Sequence, residues 1–188
     1  MHRILAVVMI ALSVAAPARG AVESFTADPA HTFPSFELTH GGDFTITRGF
    51  FQKTAGKITL DRVAKTGSIE IVVDTASMTT GHAGRDNIVR ATWFKVEQYP
   101  QMIYRSANVK FSGDVPSGAE GELLLAGVIK PVTLVITSFK CRPHPVNKKL
   151  QCGADGTAAI KRIDFGLNAA SSVGDDIKIL FQIEAYKD

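Results

Sequence analysis

Ile177-Lys178-Ile179-Leu180-Phe181-Gln182-Ile183-Glu184-Ala185 reads as one strand with two unlike faces. Ile177, Ile179, Phe181, Ile183 and Ala185 fall on one parity, with Lys178, Gln182 and Glu184 on the other. Successive side chains of a strand point to opposite sides, so the pattern specifies one apolar and one solvated face. The same alternation recurs upstream. Phe36 and Leu38 alternate with Glu37 and Thr39, and Phe44, Ile46 and Phe50 share a parity across Thr45, Thr47 and Gly49. Ile58 and Leu60 alternate with Lys57, Thr59 and Asp61, while Ile69, Ile71 and Val73 lie opposite Glu70. Val132, Leu134 and Ile136 alternate with Thr133 and Thr137, although Val135 interrupts the polar face. Met102 to Phe111 adds a strand-like run of about ten residues, or roughly 30 Å. Gly41-Gly42, Lys65-Thr66-Gly67, Pro116-Ser117-Gly118 and Val173-Gly174-Asp175-Asp176 read as turns between the runs. Many half-buried strands joined by short turns predict an antiparallel all-β sandwich or barrel.

One stretch departs from this pattern. Gly84 to Trp93 carries Ile88 and Val89 among polar residues and predicts a short helix inserted mid-chain, with Asp86 and Arg90 placed to suit its dipole. Arg85, Asp86 and Arg90 beside Trp93 and Phe94 fit either a solvated helix face with aromatics plugging the core or the polar rim of an apolar mouth. Spacing alone favours the first. Arg85 and Arg90 are separated by about 500° of helix rotation, or about 140° net, so at most one of them faces a given opening.

The N-terminus has the form of a secretory signal. Arg3 gives a basic start, Ile4 to Ala16 is apolar apart from Ser13, and small residues follow to Ala21. Its apolar run of about 13 residues is short of the roughly 20 that span a bilayer, and no later segment is apolar for long enough. Residues 1–20 are therefore expected to be removed, leaving one domain over residues 21–188, soluble and periplasmic. Loss of Arg3 and Arg19 lowers the formal charge from +3 to +1. A near-neutral chain without a basic stripe is a poor partner for nucleic acid. An outer-membrane barrel fits badly too, because one Trp and three Tyr cannot build aromatic girdles.

Cys141 and Cys152 flank a loop-like stretch rich in proline and lysine, and in an oxidising compartment such a pair predicts a disulfide. The alternative is a metal site that adds His144, which supplies three candidate ligands and no obvious fourth. No nucleophile elbow, phosphate-binding glycine loop or zinc-protease helix is present. His31, His40, His82 and His144 are isolated, and hydrogen-bonding or capping roles are the ordinary reading for them. If the fold closes as a barrel of about eight strands, its interior has room for one ligand. An apolar lumen of this length suits an extended lipid chain.

Asp28-Pro29-Ala30-His31-Thr32, Phe36-Glu37-Leu38-Thr39-His40, Thr47-Arg48-Gly49-Phe50-Phe51 and Gly56-Lys57-Ile58-Thr59-Leu60-Asp61 resemble the opening of the YceI-like family of periplasmic polyisoprenoid-binding proteins. Arg85-Asp86 with Trp93-Phe94 and Tyr99-Pro100 is similar to that family's central helix and the strand entry after it. Gly127 to Leu134, Ile163-Asp164-Phe165-Gly166-Leu167 and Val173-Gly174-Asp175 continue the likeness in order, and Cys141, His144-Pro145 and Cys152 resemble a cysteine-containing branch. The family's helix often carries a histidine two residues after the Arg-Asp pair, where this chain has Ile88.

The resemblance implies an extended eight-stranded lipocalin-like barrel holding a long-chain isoprenoid or related amphiphile, of the quinone or polyprenyl phosphate class. It implies no catalytic residues and no cofactor beyond that lipid, and a homodimer is a further expectation. The expected lumen residues are Phe36, Leu38, Ile46, Ile58, Ile69, Ile71 and Val73 from the first half. Trp93, Phe94, Leu134, Phe165, Ile177, Ile179, Phe181 and Ile183 complete the set. Arg85 is the headgroup candidate. An enzyme acting on a lipid in the same cavity, or an accessory partner of a membrane redox protein, are the competing readings.

Overall fold

The computed structural model describes residues 20–168 and 172–188, so the expected leader lies outside the described residues, Gly20 apart. The strands are β1 (Glu23–Ala27), β2 (Ser35–His40), β3 (Thr45–Phe51), β4 (Thr54–Asp61), β5 (Thr66–Asp74) and β6 (Met78–Thr79). After the helical insert come β7 (Gln101–Ser112), β8 (Val115–Leu125), β9 (Val128–Pro143), β10 (Leu150–Lys161) and β11 (Asp176–Lys187). Every ladder is antiparallel, and the order β1-β4-β5-β7-β8-β9-β10-β11 returns to β1, closing an eight-stranded barrel.

β11 carries the seam. Its end at Ala185–Lys187 pairs with β1, and its start at Lys178–Leu180 pairs with β2. β1 and β2 are thus two halves of one wall position, interrupted where Pro29 removes a backbone donor. The gap in the ladder is patched by Thr32, whose hydroxyl accepts from the Glu184 N–H and donates to the Glu184 carbonyl, both at 3.3 Å. β3 continues β2 outward to β6, which is not paired with β7 among the described residues. The helical insert occupies the chain between those two strands. It runs as an α-helix, α1 (Ala83–Val89), and widens into a π turn over Arg90–Phe94. The sequence places this helix correctly and misses only its change of pitch.

Two expectations need correction. Pro116-Ser117-Gly118 is not a turn; it lies inside β8, and the chain reverses one step earlier, where Gly113 takes a left-handed φ of 61°. Phe44, Ile46 and Phe50 do not face inward: they are 85%, 44% and 42% exposed. The register explains why. Leu38 is paired with Thr47, and Thr39 with Ile46, so Ile46 shares the outer face of Thr39. Phe50-Phe51 offers an aromatic ring to each side, and Phe51 takes the core. β8 and β10 carry no clean alternation, because glycine and alanine fill many of their positions.

Those small residues make room for large neighbours. A Cβ on Gly156 would sit 2.1 Å from the Phe181 ring, and one on Gly121 would sit 2.7 Å from the Tyr104 hydroxyl oxygen. Each ring therefore lies along the inner wall over the adjacent strand, the large-with-small matching that fills small barrels.

Candidate functional site: a two-chambered lumen

The inner face encloses two separate apolar chambers. The upper one, at the helical end, has a volume of about 300 Å³, and the lower one, at the disulfide end, about 80 Å³. Of the expected lumen residues, Phe36, Leu38, Trp93, Phe94, Ile177 and Ile179 line the upper chamber. Ile58, Ile69, Ile71, Leu134, Phe181 and Ile183 line the lower. Val73 and Phe165 are buried in the core but border neither chamber, and Ile46 is outside altogether. A single continuous channel is therefore not what the wall residues build.

Phe51, Met102, Leu125, Ile160 and Leu167 also line the upper chamber. Parity could have found Met102, whereas Phe51 lies on the polar parity of β3 and only the register with β2 turns it inward. Ile160 follows two alanines and has no alternation to betray it.

Polar groups gather at the upper mouth. His40, Thr47, Thr80, Arg85, Thr92 and Ser172 border a chamber whose deeper walls are apolar. Arg85 is exposed there, and its Nε donates to Thr80 Oγ1 at 2.7 Å and its Nη2 to the Thr80 carbonyl at 3.0 Å. It forms no ion pair among the described residues, so its remaining N–H groups are available at the rim. Arg90 turns the other way, and its Nε donates to the Met78 carbonyl at 3.1 Å. The rotation argument holds: one arginine reaches the mouth and the other does not.

α1 is fixed at both ends of its first turn. His82 caps it, with Nδ1 accepting from the Arg85 N–H at 3.2 Å. Asp86 is not a solvated residue. Its carboxylate is buried and accepts from Thr79 Oγ1 at 2.7 Å, Thr80 N at 2.8 Å and Thr80 Oγ1 at 2.5 Å. Burial pushes its pKa up, but the hydrogen bonds from Thr80 and Thr79 outweigh it and hold the carboxyl below its usual value. At the other end Trp93 and Phe94 plug the barrel, and the Arg162 guanidinium lies 5.4 Å from the Trp93 ring. Arg162 is itself buried, donating to the carbonyls of Leu167 and Gly174. Nothing in the sequence singles it out.

Cys141 and Cys152 form a disulfide across directly paired positions of β9 and β10. Both thiols are consumed, which removes the alternative metal set with His144. The His144 Nδ1 instead accepts from the N–H groups of Val146 and Asn147, shaping the tip of that hairpin. His31 is bonded to Asp28 on the exterior at 2.7 Å.

The YceI-like domain model matches residues 25–185, which takes in every strand but the ends of the first and last. The chain belongs to the YceI-like family. Its relatives include a UPF0312 protein of Pseudomonas putida strain W619, 29% identical over 94% of this chain and 92% of that one. A UPF0312 protein of Pseudomonas syringae pv. tomato is 29% identical over 81% of this chain and 80% of its own. Among solved structures, Burkholderia cenocepacia BcnA superposes with a TM-score of 0.71 at 23% identity, covering 84% of this chain and 98% of that one. A polyisoprenoid binding domain from Saccharophagus degradans superposes at 0.64 with 15% identity, covering 87% and 98%. These likenesses establish the YceI-like barrel as the shared fold. No helix among the described residues of this YceI-like protein is long and apolar enough to cross a membrane.

Proposed function

We propose that this protein is an exported, periplasmic binding protein for an isoprenoid-type or related amphiphilic lipid. The tail would occupy the upper chamber and the polar head would sit at the rim beside Arg85. The observation that carries this reading is the chamber itself: about 300 Å³ between mostly apolar walls, with most of its polar side chains gathered at its mouth. The name of the Saccharophagus degradans neighbour, a polyisoprenoid binding domain, supports the same ligand class. Burial of the tail supplies the affinity, at roughly 0.8 kcal/mol for each methylene removed from water. That term hardly distinguishes one chain from another, so selectivity falls to the rim and to the length of the lumen.

Catalysis is the less favoured reading. His31, the histidine held by a carboxylate, is on the outer face, and His40 stands at the rim without such a partner among the described residues.

Arg85 separates headgroups. A guanidinium–phosphate contact is charge-assisted and commonly bidentate, whereas a neutral quinone gains little from it. Arg85→Ala is therefore expected to weaken binding of a polyprenyl phosphate by roughly tenfold or more, and a quinone of similar tail much less. Competition titrations of both lipids against both proteins measure this. Equal losses would show that Arg85 only supports the mouth.

A further inference from the structure

The two chambers share no lining residue. Val73, Tyr104, Leu123, Val132 and Ala158 are buried on the inner wall and border neither. They form a level of their own. On β7, Met102 faces the upper chamber and Val109 the lower, with Tyr104 between them. On β10, Ile160 and Ala154 stand above and below Ala158 in the same way. Tyr104 is the member held in place: its hydroxyl donates to the carbonyls of Ala119 and Val132 at 3.3 and 3.2 Å, with the ring running over Gly121. Leu123 is its direct cross-strand partner.

We propose that this waist ends the ligand's tail, and that Tyr104 and Leu123 set the length the protein accepts. The inference rests on the upper chamber being the lipid site and adds a limit to it. A cavity of about 150 Å³ holds one benzene, or roughly 25 Å³ per carbon. The upper chamber, at about 300 Å³, then holds about a dozen carbons. That falls between a geranyl and a farnesyl tail and is far short of a polyisoprenoid. Carbons beyond the limit stay at the mouth and gain nothing from the lumen.

Trp93, the chain's single tryptophan, lines the upper chamber and reports occupancy by its emission. The intact protein is titrated with geranyl, farnesyl, geranylgeranyl and undecaprenyl monophosphate. Affinity is expected to rise by about tenfold or more from geranyl to farnesyl, and then to change by less than about twofold. A rise that continues past farnesyl at the same increment overturns the waist and leaves the lipid reading intact. Failure of every tail to bind overturns the lipid reading, and the length limit with it. Leu123→Ala trims the waist without removing a polar contact, and is expected to carry the rise on to geranylgeranyl phosphate. A Leu123→Ala protein that melts cooperatively and keeps the original plateau also overturns the waist. If that variant does not fold, the wild-type series decides alone.

Discussion

Asp86 and Tyr104 are buried polar groups whose titration reports on opposite ends of the pH scale. The folded pKa of Asp86 lies below its ordinary 3.8, so the carboxylate contributes stability above that pH and loses it as pH falls through the lowered value. Asp86→Ala leaves the hydroxyls of Thr79 and Thr80 without their acceptor and is expected to cost roughly 2–3 kcal/mol near neutral pH. Denaturant melts of both proteins check this; the gap should narrow as the solution is acidified through that range, and a constant gap would remove the carboxylate from the account. Tyr104 behaves in the opposite sense. Burial raises its hydroxyl from 10.0 to about 12, so the native state resists ionisation and loses stability as pH rises across that interval. Tyr104→Phe should lack this alkaline loss, seen as a flatter melting temperature between pH 10 and pH 12. The sequence makes Asp86 legible only as a helix-dipole residue. Its real partners are threonines just before the helix, and no spacing rule connects them.

β11 shows how far alternation can be read at the level of elements. The five apolar residues on one parity, Ile177, Ile179, Phe181, Ile183 and Ala185, face inward while Leu180 lies on the other side, because the two faces have different neighbours and any slip would expose them. β3 shows where the same rule runs out. Phe50-Phe51 and Ile46 gave a true period with the wrong face, since only the pairing with β2 decides which side is interior. β8 and β10 were illegible for another reason: their glycines and alanines are the hollows into which Tyr104 and Phe181 fit, so the partner rather than the strand carries the signal. The disulfide joins β9 and β10 beside the lower chamber, with a sequence separation of 11. A Cys141→Ser and Cys152→Ser double variant is expected to lose roughly 3 kcal/mol of stability. Its farnesyl phosphate affinity should be unchanged, because the upper chamber lies at the other end of the barrel. Calorimetry and the Trp93 titration read the two quantities, and a large loss of affinity would show that the chambers are coupled.

The whole molecule combines a legible architecture with a concealed interior. Strand periodicity specifies an antiparallel sandwich or barrel, the family resemblance implies the closed barrel, and the residues of the inner wall follow from parity in β2, β4, β5, β9 and β11. Division of the lumen does not follow from parity, because it depends on side chains from several strands meeting at one level. Packing of this kind reaches interior density locally while leaving space above and below. The central claim is that the space above is a lipid site. Native mass spectrometry of the protein purified without added lipid, and again after incubation with farnesyl phosphate, tests it most directly. The account expects one amphiphile per chain in one or both samples, and its loss in Ile179→Trp, which fills the upper chamber. The variant should still melt cooperatively. An unliganded mass in every sample, with no uptake of the added lipid, would contradict the claim.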